Sequence, residues 1–72
     1  MINKGKYRHA KSGKLYQVLG VGKDSETLKD VVVYEPLYES KVRFWVRPVE
    51  MWEEEVEIGG EKKKRFEKIP DT

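Results

Sequence analysis

Between Val42 and Trp52 the chain reads V-R-F-W-V-R-P-V-E-M-W, and no other stretch constrains the fold as tightly. Val42, Phe44 and Val46 alternate with Arg43, Trp45 and Arg47, a period of two that belongs to a strand with two unlike faces. The apolar set is expected to seal the interior, leaving an indole between two guanidinium groups on the outside. Pro48 lacks an N–H for the ladder and biases Arg47 toward extended angles, so the strand should stop there. The chain then turns through Val49, Glu50 and Met51 and delivers Trp52 to the core. Seven or so residues without a proper cap are too few for a stable isolated helix, so the turn is read as one turn of helix or 3-10.

The remaining segments are short strands between turn signals. Lys4 to His9 alternates, with Tyr7 and His9 on one face and Lys6 and Arg8 on the other. Ser12-Gly13 marks a turn. Leu15 to Val21 is apolar on both sides, and Gly20 within it marks a bend or bulge. Gly22 to Asp30 reads as a polar loop, and Val31 to Tyr34 as a strand of β-branched residues ended by Pro36. Val56-Glu57-Ile58, Gly59-Gly60 and Glu61 to Phe66 form a hairpin signal, since both glycines accept positive φ, and its return strand sets lysines near the outgoing glutamates.

Five short strands and one helical turn define an all-β domain. The first expectation is a small, strongly bent SH3-like five-stranded barrel; the alternative is an open antiparallel sheet packed on one short helix. Seventy-two residues allow one domain, which removes roughly 60% of its unfolded surface from water, so its core must be small. The domain is placed at residues 4–69, with residues 1–3 and 70–72 as loose ends. The chain has no cysteine, no run near the roughly 20 apolar residues of a membrane helix and no signal-peptide pattern, which together point to a cytoplasmic protein with no membrane partner.

Net charge is only +2, but its distribution is uneven. Residues 1–23 carry six basic side chains and no acidic one, whereas Glu50 to Glu57 holds five glutamates and no base. A basic end raises association rates with anionic partners, although charge runs also serve simply as solvated faces.

The motifs Tyr7-Arg8-His9, Tyr16-Gln17-Val18-Leu19-Gly20-Val21, Ser25-Glu26-Thr27, Val32-Val33-Tyr34, Leu37-Tyr38, Trp45 to Met51 and Arg65-Phe66 form a joint pattern. On these residues the chain resembles the small, mostly bacterial domain of unknown function 1653 family, over nearly all of residues 7 to 66. Two positions depart from that pattern. Asp24 stands where members often carry a histidine before Ser-Glu-Thr, and Glu39 where they often carry glycine after Leu-Tyr. The resemblance implies a compact domain without an assigned activity.

Two constellations remain as candidate ligand sites. Arg43, Trp45 and Arg47 can stack a ring while holding phosphate or carboxylate. Their structural alternative is an indole covering a second apolar patch, its arginines paired with Glu35 or Glu50. Tyr7, Arg8 and His9 can form a polar pocket with Ser25, Glu26 and Thr27 if the two segments meet; otherwise the hydroxyls tie down their own loop. No catalytic residue is assigned: Ser25, His9 and Glu26 supply the types of a nucleophile, base and orienter, but not their reach. One histidine and no cysteine leave no metal set, and Gly20-x-Gly22 lacks the third glycine of a nucleotide loop, so no cofactor is expected. The expected function is a small binding module for an anionic ligand, whether nucleotide, nucleic acid or acidic protein surface. A protein-interaction or scaffold role, including a homodimer through an exposed edge, is the alternative, and a small enzyme or ligand sensor the third.

Overall fold

The computed structural model describes residues 2–70; Met1, Asp71 and Thr72, expected among the loose ends, lie outside the described residues. Seven strands and one helical turn follow in the order β1 (Gly5–His9), β2 (Leu15–Lys23), β3 (Asp30–Pro36), β4 (Trp45–Pro48), α1 (Val49–Trp52), β5 (Glu55–Ile58), β6 (Glu61–Lys64) and β7 (Phe66–Lys68). Five of the strands form one antiparallel sheet in the order β4-β3-β2-β1-β7, and β5 pairs with β6 alone. The protein is therefore mainly β, and the open antiparallel sheet with one short helix is the form it takes. The closed barrel is not formed, because β4 and β7 lie at opposite margins of the sheet and do not pair.

Local chemistry explains most of the elements. β1 alternates as its sequence requires, burying Tyr7 and exposing Lys6 and Arg8. The bend at Gly20 is a β-bulge: the register against β3 slips between Val18 and Gly20, leaving Leu19 as the extra residue. Gly59 and Gly60 have φ of 60° and 83°, the left-handed angles that a two-residue turn between β5 and β6 demands. In that hairpin Glu55 faces Lys64 and Glu57 faces Lys62.

The core lies on one face of the large sheet. Tyr7, Val18, Val32, Tyr34 and Phe66 line it, and Trp52, carried in by α1, closes over them. The Trp52 indole stacks on Phe66 with ring centroids 3.7 Å apart and meets Tyr7 and Tyr34 edge-on. Burying an aromatic side chain of this kind typically contributes about 3–5 kcal/mol against truncation to alanine. Ile2 packs against this cluster and the backbone carbonyl of Asn3 accepts the Tyr7 hydroxyl at 2.9 Å, so these two residues of the expected loose N-terminus carry contacts.

The central strand corrects the alternation reading. Only Trp45–Pro48 is strand, and its register sets Trp45 opposite Tyr34 and Arg47 opposite Val32, two core positions. Trp45 and Arg47 therefore take the interior-side face, while Val46 pairs with Val33 on the other and is 62% exposed. Val42 and Phe44, expected inside, are exposed in the loop before the strand. Within Trp45–Arg47 the alternation holds with its sign reversed, because the Arg47 stem and the Trp45 ring can lie against apolar neighbours on the interior side.

Candidate functional site

Arg47 defines the site. Its strand is one margin of the sheet, yet its guanidinium lies 5.4 Å from the ring centroid of Phe66 on β7, the opposite margin. The sheet curls so far that side chains of the two margins meet across the gap that backbone pairing would have closed. Arg47 Nε is buried there without a hydrogen-bond partner, and no carboxylate lies within 4.0 Å of its guanidinium among the described residues. Trp45, two residues away on the same face, is 41% exposed beside the gap.

His9 reaches the same gap from β1. Its ring meets Phe66 edge-on at 5.0 Å. The Ser12 amide donates to Nδ1 at 3.3 Å, Ser12 Oγ lies 3.0 Å from the same nitrogen, and the Lys14 amide donates to that hydroxyl at 3.2 Å. Nδ1 thus accepts, and the remaining proton sits on Nε2. Burial, followed by the charges of Arg47, Arg65 and Lys11, pulls the His9 pKa below the ordinary histidine value. This shift records a positive local field as well as desolvation. Arg65 is the most constrained of the three cations: its Nη2 donates to Glu54 Oε2 at 3.1 Å, while its Nε is buried without a partner.

Aromatic hydroxyls complete the wall. Tyr16 and Tyr38 hydroxyls lie 3.1 Å apart, Tyr16 meets Tyr34 and Phe66 edge-on, and Lys14 Nζ sits 4.7 Å from the Tyr38 ring centroid. Burial and the Tyr38 hydroxyl raise the Tyr16 pKa strongly, so the Tyr16 hydroxyl stays protonated at neutral pH. Arg65, Tyr16, Tyr38 and Lys14 are not among the candidate ligand residues that the sequence suggests. The residue types offered no sign of it; only the curl of the sheet assembles them.

The structure divides the nine sequence-selected residues. Tyr7, His9, Trp45 and Arg47 share the interior-side face, with Tyr7 itself buried. Arg8 points to the opposite side of β1, and Arg43 lies in the loop before β4 with its guanidinium 5.7 Å from the Phe44 ring centroid. Ser25, Glu26 and Thr27 occupy the β2–β3 loop, at the far end of β2 from His9 and roughly 25 Å away along the strand. That loop uses its polar groups on itself. Asp24 Oδ1 accepts the Glu26 and Thr27 amides at 2.8 and 3.1 Å, which lowers its pKa, and Thr27 Oγ1 accepts the Lys29 amide at 3.3 Å. Leu28 there takes the left-handed φ of 62°. The Tyr-Arg-His and Ser-Glu-Thr segments are therefore not one pocket.

A separate hollow of about 530 Å³ opens below Tyr7, Trp52 and Phe66, rimmed by Glu53, Glu55, Lys64 and Lys68. Its rim charges balance and its aromatic walls are buried by one another. Among the described residues no three histidine, aspartate or glutamate side chains are grouped to hold a metal ion, and no helix is long and apolar enough to cross a membrane.

Fold and site together define a small mainly-β domain whose curled open sheet presents arginine, histidine and tyrosine along the gap between its margins. The model of the family described as Protein of unknown function (DUF1653) matches residues 5–68, and the chain belongs to that family. A crystal structure of a DUF1653 protein from Bordetella bronchiseptica is similar throughout, with a TM-score of 0.89 and 33% sequence identity over 99% of this chain and 91% of that one. No curated protein matches the chain.

Proposed function

We propose that this domain is a non-catalytic binding module for an anionic ligand, engaged at the gap where Arg47, His9 and Trp45 meet. One observation carries the reading: the Arg47 guanidinium lies over the Phe66 ring at 5.4 Å, has no carboxylate partner among the described residues and leaves a buried Nε–H without an acceptor. Folded proteins rarely leave such a donor unmet, and a bound phosphate or carboxylate oxygen supplies what is lacking. The neutral His9, with a proton on Nε2, and the Tyr16–Tyr38 pair, which keeps one hydroxyl proton beyond the one it shares, add uncharged donors beside it. Tripolyphosphate is the direct probe. It should raise the melting temperature of the parent chain and leave that of Arg47→Met unchanged; equal stabilisation of both would remove Arg47 from the site.

A second reading rests on the margins of the sheet. β4 is an edge strand with exposed Val46, so a second copy or a partner strand can pair along it. Sedimentation over a hundredfold concentration range decides this: a mass that doubles supports it, and a constant monomer mass excludes self-pairing.

A further inference from the structure

The β3–β4 loop, residues 37–44, and the β1–β2 turn share one end of the sheet. The Leu37 amide donates to the Leu15 carbonyl at 2.9 Å, and Lys14 lies over Tyr38. Around this end Lys14, Lys41, Arg43 and Arg47 all lack a carboxylate within 4.0 Å among the described residues, and Ser40 to Arg47 contains no acidic residue. Two rings stand in succession among these cations, Phe44 at 52% exposure and Trp45 at 41%, in a protein whose other large aromatics are buried or half-buried. A small domain has little reason to leave two adjacent rings in water, and exposed apolar surface rimmed by charge marks an interaction site.

From this arrangement we infer that the anion is the backbone of a single-stranded nucleic acid, with bases stacking on Phe44 and Trp45 and phosphates running past Lys14, Lys41, Arg43 and Arg47. The inference rests on the anion-binding reading and sharpens it. Interleaved cations and exposed rings are what sequence-tolerant single-strand recognition requires, because every base offers a flat face and every linkage a charge. A duplex hides its bases from rings held this way. A membrane surface is the less suitable partner: Arg47 Nε is buried and His9 only partly exposed, so neither stands out from a flat face.

The experiment uses the full chain and a fluorescein-labelled dT12 oligonucleotide followed by anisotropy. Binding should weaken with salt, the logarithmic slope falling by roughly 0.7 for each phosphate contacted. Phe44→Ala and Trp45→Ala, each confirmed as folded by thermal melting, should each weaken dT12 binding by roughly 5- to 100-fold, while competition by inorganic polyphosphate changes little in Phe44→Ala, whose ring lies outside the anion site. Arg47→Met should weaken both. If polyphosphate of equal charge competes as well as dT12 and the ring variants bind normally, the site takes anions but not nucleic acid, and the inference falls while the broader reading stands. A 12-base-pair duplex binding more tightly than dT12, or phosphatidylserine vesicles retaining the protein while dT12 does not, overturns the inference as well. If neither dT12, polyphosphate nor vesicles bind, both readings fail.

Discussion

The two tryptophans of this chain, Trp45 and Trp52, stand seven positions apart and live under different rules. Trp52 is 3% exposed, stacked on Phe66 and boxed by Tyr7 and Tyr34. Trp45 stands on an edge strand beside unpaired cations with nearly half of its surface in water. In one place the indole is structural mass; in the other it is contact surface that the fold does not consume. The same division separates the two long loops. The Asp24–Lys29 loop spends the Asp24 carboxylate and the Thr27 hydroxyl on its own amides, whereas the loop before β4 leaves Lys41, Arg43 and Phe44 facing outward. Residue types that read as chemistry, such as Ser-Glu-Thr, can be scaffolding, and the groups available to a ligand are those that local bonding has not claimed.

Truncation tests the contrast most sharply. Trp52→Ala should lower unfolding stability by about 3–5 kcal/mol in urea titration, whereas Trp45→Ala should cost clearly less, since 41% of that residue is already exposed. Similar losses at both sites would erase the distinction. Acid titration of stability probes the two ends of the sheet with smaller effects. The folded state holds the His9 pKa below its ordinary 6.5, so its contribution is complete above that pH and is lost as pH falls toward the lower folded value; His9→Gln should flatten the curve there. Asp24 behaves as a carboxylate held below its ordinary 3.8 by two amides, so its contribution persists above that value and disappears in stronger acid. Asp24→Asn, whose Oδ1 still accepts hydrogen bonds, should remove only this last part of the acid loss.

Much of this architecture was legible along the chain. The β1 alternation, the bulge at Gly20, the β-branched β3, the single helical turn that buries Trp52 and the Gly59-Gly60 hairpin all follow from local rules. What failed was the orientation of β4 and the closure of the sheet. Alternation fixes that neighbouring side chains oppose each other, not which set meets the core, and the assumption that the aliphatic set goes inward was defeated by Arg47. Its aliphatic stem lies on the interior side and its head stacks on Phe66, leaving Val46 outside. Closure depends on whether β4 and β7 pair, a relation between segments about 20 residues apart that no local pattern encodes. The curl that the barrel expectation anticipated is present, but a guanidinium spans the seam instead of a ladder. Of the groups that the fold brings together, Trp45, Arg47 and His9 are among the residues singled out by sequence pattern; Arg65 and the Tyr16–Tyr38 pair are not, since their proximity exists only after the sheet has folded over.

The β5–β6 arm makes its ladder only with itself and is fastened at its root, where the Arg65 amide donates to the Glu54 carbonyl at 2.9 Å and the two side chains form an ion pair. Nothing in the large sheet depends on how far that arm extends. Lengthening both of its strands by two residues, or splicing a foreign epitope in place of Gly59-Gly60, therefore leaves the aromatic centre in register, and makes this arm the natural handle for a label that must not disturb the basic end.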